Sequence, residues 1–164
     1  MIWPAVALLA FVTLQRLVEL PIARANTARL LAAGGREVAP GHYPLIVALH
    51  LAWLATLWWL APGLPLHFTF LGLFVLIEAA RVWVLRTLGP RWTTRIIIVP
   101  GEKLVERGPY RFVDHPNYLV VAAEIAVLPM VFGLWQVALL FSLLNAAMLA
   151  VRIRAENAAL ESHR

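Results

Sequence analysis

The residues best suited to chemistry are concentrated in one polar stretch, residues 107–118, which reads Arg-Gly-Pro-Tyr-Arg-Phe-Val-Asp-His-Pro-Asn-Tyr. Pro116 predicts the first turn of a helix, and the free N–H groups of such a turn attract carboxylates and phosphates. Arg111 adds a positive charge, while Tyr110 and Tyr118 add aromatic faces that carry a hydroxyl. These groups suit a polar ligand with an anionic end and an aromatic ring. The alternative is an anchor at the membrane interface, where tyrosine is also common.

Ionisable residues inside apolar segments form a second group of candidates. Intramembrane charges cost about 2.5–3.5 kcal/mol each on insertion scales and commonly serve function. Glu78 and Arg81 are three residues apart, as are Arg16 and Glu19, so each pair can neutralise itself on one helix face. Glu124 has no such partner on its own segment. It must bond across a bundle, hold a proton or face a cavity.

Several kinds of chemistry are excluded or disfavoured. The chain has no cysteine, which rules out disulfides, thiolate nucleophiles and Cys-ligated metals. His42 and His50 are eight residues apart, and two imidazoles alone make a poor metal site. We therefore expect no metal. The sequence also lacks a phosphate-binding glycine loop and a nucleophile elbow.

The elements that position these residues are predicted to be membrane helices. Of 164 residues, 62% are hydrophobic and 14% are charged, against roughly 25% charged in soluble domains. The apolar residues form blocks of about twenty, enough to cross ~30 Å of hydrocarbon. We predict a single all-α domain over residues 1–164, a polytopic membrane helix bundle with a cytoplasmic cofactor pocket. Its five spans are expected at about residues 2–22, 43–61, 66–88, 116–130 and 134–151. The first lacks a basic leader and a cleavage site, so we expect it to be retained.

Charge sets the expected orientation. Twelve of the 14 Lys and Arg residues lie after span one, around and after the end of span three, or in the tail. The positive-inside rule then predicts a multi-pass membrane protein with the N-terminus outside and the C-terminus cytoplasmic. Because these positions explain the net charge of +5, we expect no nucleic-acid partner.

The segments between spans also carry predictions. We expect a basic loop after span one, holding Arg24, Arg29 and Arg36. The β-branched residues 92–99 and the segment 103–106, with Pro-Gly between them, predict a small hairpin or an ordered loop on the cytoplasmic face. The tail after residue 151 has helical composition.

Three motifs resemble the isoprenylcysteine carboxyl methyltransferase family. Its pattern is Gly-Pro-Tyr, then Arg-His-Pro-x-Tyr, then Arg-Ile-x-x-Glu-Glu-x-x-Leu. The first is intact at residues 108–110. The second is present at residues 115–118, with Asp114 in place of its leading Arg. The third spans residues 152–160, with Asn157 in place of the second Glu.

The resemblance implies S-adenosylmethionine as cofactor, S-adenosylhomocysteine as its product, and a pocket built from the last two spans. It also implies a lipid substrate that enters from the bilayer. Carried over residue by residue, it assigns to the cofactor site Gly108, Pro109, Tyr110, His115, Pro116, Tyr118, Arg152 and Glu156. Arg111 joins this predicted set because of its charge and position.

The front half is similar to one bacterial branch, encoded beside type III polyketide synthases. The similarity rests on Glu19-Leu20, residues 23–26, residues 34–37 and His42-Tyr43-Pro44. Residues 92–96, and residues 115–118 with Glu124, fit that branch too. The resemblance therefore implies a location in the bacterial inner membrane. Members of that branch are thought to O-methylate long-chain alkylpyrones and alkylresorcinols. The resemblance therefore favours a phenolic or enolic lipid hydroxyl as methyl acceptor.

Methyl transfer is an in-line displacement in which positioning can supply roughly 7–11 kcal/mol. A carboxylate acceptor needs no base, but a phenol gains about 10²–10⁴-fold from one. We predict Glu124 as this base, since burial makes a carboxylate more basic, with His115 as its rival. Arg81 or Arg111 is expected to orient the acceptor oxygen.

Other functions stay open at this point. The nearest is carboxyl methylation of an isoprenylcysteine or another lipid acid. An NADPH-dependent membrane reductase and a non-enzymatic membrane subunit are more distant alternatives, and a homodimer through span one is open.

Overall fold

The chain folds as an all-α membrane bundle. The computed structural model describes residues 2–161, without the side chains of residues 160 and 161. Five α-helices occur in this part of the chain: α1 Trp3–Ala32, α2 Tyr43–Leu60, α3 Phe68–Leu88, α4 Pro116–Val131 and α5 Trp135–Glu161. All but α4 are long and apolar enough to cross a membrane, and α4 is a shorter apolar helix.

Two helices continue beyond the predicted spans, so the loop predicted to hold Arg24 and Arg29 is wrong. Helix α1 continues ten residues beyond position 22, so that Arg24 and Arg29 lie on the helix and not in a loop. Pro21 lies inside α1 without ending it, because proline removes one backbone bond while the alanines after it favour helix. Helix α5 likewise runs ten residues past position 151. The predicted tail is thus one helix with span five, and residues 162–164 lie outside the described part.

The predicted hairpin is also wrong. Strand β1, Arg36–Glu37, pairs antiparallel with strand β2, Ile97–Ile98, so the segment after α1 takes the place expected for residues 103–106. The ladder continues with a bond from the Val38 N–H to the Ile96 carbonyl at 2.9 Å. Glu37 adds an ion pair with Arg95 at 2.8 Å. These contacts fasten the end of α1 to the polar region after α3.

The apolar core occupies the opposite end of the bundle. It contains side chains from all five helices, among them Leu9, Trp53, Phe74, Leu128 and Phe141. A smaller cluster of Ile77, Val84 and Val120 closes the interface of α3 and α4. The polar residues are therefore gathered at the other end.

Four charged side chains join α1 to α3 and α4 inside the bundle. The Arg81 guanidinium donates to both Glu19 oxygens, at 2.8 and 2.5 Å, and to both Glu124 oxygens, at 2.9 Å. Arg16 donates to Glu19 at 3.2 Å and to Glu124 at 2.5 Å. Arg81 is 4% exposed and Glu124 is 1% exposed. With two positive and two negative members, this cluster, which we call the charge quartet, is neutral as a unit.

The contacts within the quartet show which of the two predicted ion pairs forms. The Arg16–Glu19 pair is confirmed. The Glu78–Arg81 pair is wrong, because Glu78 accepts a bond from Gln15 of α1 at 2.7 Å while Arg81 turns to the quartet. Of the three alternatives open for Glu124, bonding across the bundle is the one observed.

The first motif forms a tight turn pressed against α3. Residues Gly108–Arg111 make one 3₁₀ turn, in which Pro109 is buried. Gly108 has a φ of +59°, and a Cβ at this position would lie 2.6 Å from the Thr87 hydroxyl oxygen. Glycine is required here both for the left-handed backbone and for the close approach to α3.

Removing the shared cation of the quartet should destabilise the bundle. Arg81→Leu leaves Glu19 and Glu124 buried without their main partner, and breaking a buried pair in this way typically costs about 3–5 kcal/mol. Thermal unfolding in detergent measures the effect. Arg86→Leu, which removes an exposed arginine from the same helix, is the control and should unfold near the wild-type temperature. Equal stability of the two variants would contradict a structural role for the quartet.

The turn at Gly108 offers a second test. Gly101→Ala meets open space at a φ of +77° and should cost only the left-handed backbone penalty, about 1–2 kcal/mol. Gly108→Ala adds a clash with Thr87, worth about 1–3 kcal/mol more. The double variant Gly108→Ala/Thr87→Ala should recover most of that difference in unfolding free energy. If Gly101→Ala and Gly108→Ala cost the same, the turn does not pack on α3 as described.

Candidate functional site

The second and third motifs meet where α4 begins and α5 ends. The two helices are antiparallel and joined by a turn at residues 132–134, so their far ends come back together. The Tyr118 hydroxyl donates to Glu156 at 2.6 Å, and Arg152 Nε donates to the Tyr118 oxygen at 3.0 Å. Arg152 is 7% exposed, a low value for a cation. The structure thus holds a carboxylate, a phenol and a guanidinium in direct contact.

His115 completes this group. Its ring stacks on Tyr118, with centroids 5.4 Å apart and planes at 22°. Its Nδ1 lies 3.8 Å from the Glu156 carboxylate, and its Nε2 lies 3.2 Å from the amide oxygen of Asn157. The imidazole is half-buried and lies between a carboxylate and an amide. Asn157 was not among the predicted site residues, although the motif had marked its position as a departure.

Residues after α3 form another wall of the site. Arg152 Nη2 donates to the Thr94 carbonyl at 2.7 Å, and the Thr94 hydroxyl donates to the Tyr43 hydroxyl at 3.3 Å. The Arg95 guanidinium lies over the Tyr43 ring, 4.3 Å from its centroid. Sequence reasoning did not place Thr94 or Tyr43 at the site. Their only signal was that both belong to segments resembling the bacterial branch.

The first motif supports the site from the α3 side. Tyr110 packs against the small apolar cluster that includes Val84 and Val120. Burial, and then the negative charge of Glu156, raise the pKa of Tyr110 well above its usual value. Its hydroxyl is therefore protonated at neutral pH. Arg111, by contrast, is exposed at the end of the turn, and none of the bonds that join the motif residues involves it.

The three predicted catalytic residues fall into two separate groups. His115 precedes α4 and contacts Glu156 and Asn157 of α5. Glu124 and Arg81 belong to the charge quartet between α1, α3 and α4. Glu124 follows Tyr118 by six residues, which is about 9 Å along the helix and roughly 120° around it. Val120 lies between these levels and packs against α3. The structure therefore does not bring Glu124 and His115 together.

Comparison with known proteins agrees with the geometry. The profile of the isoprenylcysteine carboxyl methyltransferase family matches residues 70–162, which include all three motifs. A Bacillus subtilis (strain 168) protein, described as Uncharacterized protein YpbQ, is 34% identical over 169 residues, covering 95% of this chain and 96% of that protein. No solved structure matches the chain. Since the family profile covers more than half of the chain, the protein belongs to the isoprenylcysteine carboxyl methyltransferase family, and this membership indicates a membrane methyltransferase.

Proposed function

We propose that this membrane protein transfers a methyl group from S-adenosylmethionine to a phenolic or enolic hydroxyl of a long-chain lipid. The observation that carries the proposal is the contact of Tyr118, Arg152 and Glu156, with His115 stacked beside them. It joins two motifs that are far apart in the chain at one end of the bundle. A site at a helix end, open to both water and lipid, suits a charged donor and an apolar acceptor.

The residues present fit the cofactor. S-adenosylmethionine carries a carboxylate, an amino group, ribose hydroxyls and a purine, and it supplies an electrophilic methyl group on a sulfonium. Arg152 can bind the carboxylate, and Glu156 can accept bonds from the amino group or the hydroxyls. The stacked rings of His115 and Tyr118 offer a flat face to the purine. These side chains now bond to one another, so a ligand would exchange existing partners rather than meet unpaired charges.

We assign proton acceptance to His115 rather than to Glu124. Both oxygens of Glu124 receive hydrogen bonds from Arg81, and one also receives a bond from Arg16. A proton arriving on this carboxylate would weaken those ion pairs in a low-dielectric interior, which is costly. The His115 imidazole forms no bond with an arginine, since its partners are Glu156 and Asn157. In this proposal Arg81 holds Glu124 and the helices in place, and its effect on the acceptor is indirect.

The front of the chain supports a hydroxyl acceptor. The polyketide-associated branch is recognised partly by residues near the end of α1. Two of these residues form bonds with the segment after α3 that lines the site. Glu37 pairs with Arg95, and Asn26 donates to the Trp92 carbonyl at 2.8 Å. The specific front-half residues are therefore part of the site's framework, which fits a branch-specific acceptor.

Carboxyl methylation of a lipid acid is the second candidate, favoured by the description of the matching family. A carboxylate is already an anion at neutral pH and needs no base. Methylation of a hydroxyl therefore needs His115 as a base, whereas methylation of a carboxylate does not.

We further propose that residues 1–164 act as one domain in a bacterial inner membrane. The motif end of the bundle would face the cytoplasm, where the donor is dissolved, and the N-terminus of α1 would lie outside. The acceptor would enter from the bilayer. The concentration of basic residues at the motif end supports this orientation.

Cofactor binding can be tested without any acceptor. Glu156→Gln keeps the size of the side chain but removes its charge, and hydrogen bonds to charged groups are worth about 1.5–3 kcal/mol. We expect S-adenosylhomocysteine to bind at least tenfold more weakly, as measured by titration calorimetry in detergent. Glu106→Gln makes the same chemical change at an exposed position outside the motifs and should leave the affinity unchanged. Equal affinity in both variants would remove Glu156 from the cofactor site.

The reaction is tested with labelled S-adenosylmethionine and two acceptors in nanodiscs, a long-chain alkylresorcinol and a prenylated cysteine. We expect methylation of the alkylresorcinol. On this acceptor His115→Gln should lower kcat by about 10²–10⁴-fold, because the variant lacks the base. Glu124→Gln, normalised to folded protein, should stay within about threefold of wild type, because its role is structural.

The outcomes separate the alternatives. Transfer to the prenylcysteine alone would establish the carboxyl reaction instead. A large loss in Glu124→Gln together with an active His115→Gln would make Glu124 the base. Transfer to neither acceptor, with cofactor binding intact, would leave a methyltransferase of another lipid class and overturn the hydroxyl proposal.

A further inference from the structure

Two adjoining cavities lie outside the motif site. The larger, about 770 Å³, lies between the end of α1 and the loop of residues 99–107. The smaller, about 370 Å³, lies between α1 and α3. Arg29 and Pro90 line both, so the two cavities adjoin. No residue of the three motifs lines either cavity. We call the larger part the chamber and the smaller part the groove.

The open surface of the groove is mostly apolar, and the polar residues Asn26, Arg29 and Arg86 complete its lining. Ile22 and Leu85 line it, and Ile22 is exposed on the outer face of α1. Trp92 also lines the groove and is 5% exposed, yet its indole N–H has no hydrogen-bond partner within the described residues. A buried donor without an acceptor is unfavourable and rare. A ligand oxygen placed next to this N–H would supply the missing hydrogen-bond acceptor.

The chamber carries an excess of positive charge. Its lining includes Arg29, Arg91, Lys103 and Arg107 against Glu102 and Glu106. Arg91 pairs with Glu102 at 2.5 Å. The side chains of Arg29 and Arg107 donate to backbone carbonyls, of Pro90 and Thr87 respectively, which carry no full charge. In the described part of the chain no carboxylate pairs with Lys103 or Arg107, so the chamber can take up an anion.

We propose that the chamber and the groove together bind one anionic phospholipid from the adjacent leaflet. The phosphate lies in the chamber near Lys103 and Arg107, and one acyl chain follows the groove between α1 and α3. Oxygens at the lipid's ester level accept the free N–H of Trp92. Charge complementarity selects an anionic head group, and the apolar groove selects a lipid over a free anion. This lipid is distinct from the methyl acceptor, because the motif residues do not reach either cavity.

The test measures lipid binding to the full-length protein by native mass spectrometry in detergent. Phosphatidylglycerol and phosphatidylcholine of identical chains are titrated separately, and phosphatidylglycerol should bind more tightly. A basic residue near an anionic lipid contributes about fivefold to affinity. Lys103→Gln/Arg107→Gln should therefore weaken phosphatidylglycerol binding by about 25-fold. The control Arg24→Gln/Arg154→Gln removes the same charge from exposed positions outside both cavities and should change binding by less than about twofold.

Two further variants test the groove. Leu85→Trp fills it and should abolish phosphatidylglycerol binding, whereas Val82→Trp adds the same bulk on the exposed face of α3 and should retain it. Trp92→Phe removes only the N–H and should weaken binding by about fivefold. Thermal unfolding confirms that each variant is folded before its binding is compared.

Three results would overturn the proposal. Equal affinity for the two phospholipids would show that the chamber does not select charge. Displacement of phosphatidylglycerol by glycerol phosphate at comparable concentrations would make the chamber a site for free anions. Displacement by an alkylresorcinol would assign the cavities to the methyl acceptor.

Discussion

The charge quartet is the interaction on which the rest of the structure depends. Hydrocarbon offers no solvation, so Arg16, Glu19, Arg81 and Glu124 can lie at this depth only if all four meet. The contacts among these four side chains fix how α1, α3 and α4 are placed along the bundle axis. They also fix how each helix is rotated about its own axis. Once α4 is fixed in this way, its first turn, with His115, has a defined place. The quartet therefore fixes the helix whose first turn carries the second motif.

The polar part of the bundle consists of two layers with different roles. The deeper layer is the quartet, whose charges bond to one another. The shallower layer holds Tyr118, Arg152, Glu156 and His115, of which Arg152 is buried while His115 and Glu156 are partly exposed. Apolar side chains around Val120 lie between the layers. This apolar layer separates the Glu124 carboxylate from the polar contacts of His115.

The sequence predicted what depends on composition and missed what depends on rotation and pairing. Helices α2, α3 and α4 begin and end within two residues of the predicted spans, because their apolar blocks end with the helix. Helices α1 and α5 continue beyond the apolar block, so hydropathy could not mark their ends. The two-residue ladder of β1 and β2 has too few residues for a periodic signal. The partners of Glu124 depend on how three helices are rotated, and no local sequence pattern records that rotation. The contact of Tyr118, Arg152 and Glu156 could be predicted, because all three residues belong to motifs of the family.

The brevity of α4 has a consequence for the membrane itself. Its 16 residues span about 24 Å, short of the ~30 Å of a typical hydrocarbon layer. Tilting cannot relieve this mismatch, because it shortens the reach of a helix along the membrane normal, and the quartet ties α4 to longer neighbours. The bilayer must instead thin around it or let water reach the helix start, at a cost of fractions of a kcal/mol per Å of mismatch. Acyl-chain length in the surrounding lipids thus acts mechanically on the first turn of α4, and through it on the contacts of His115 and Tyr118 with α5.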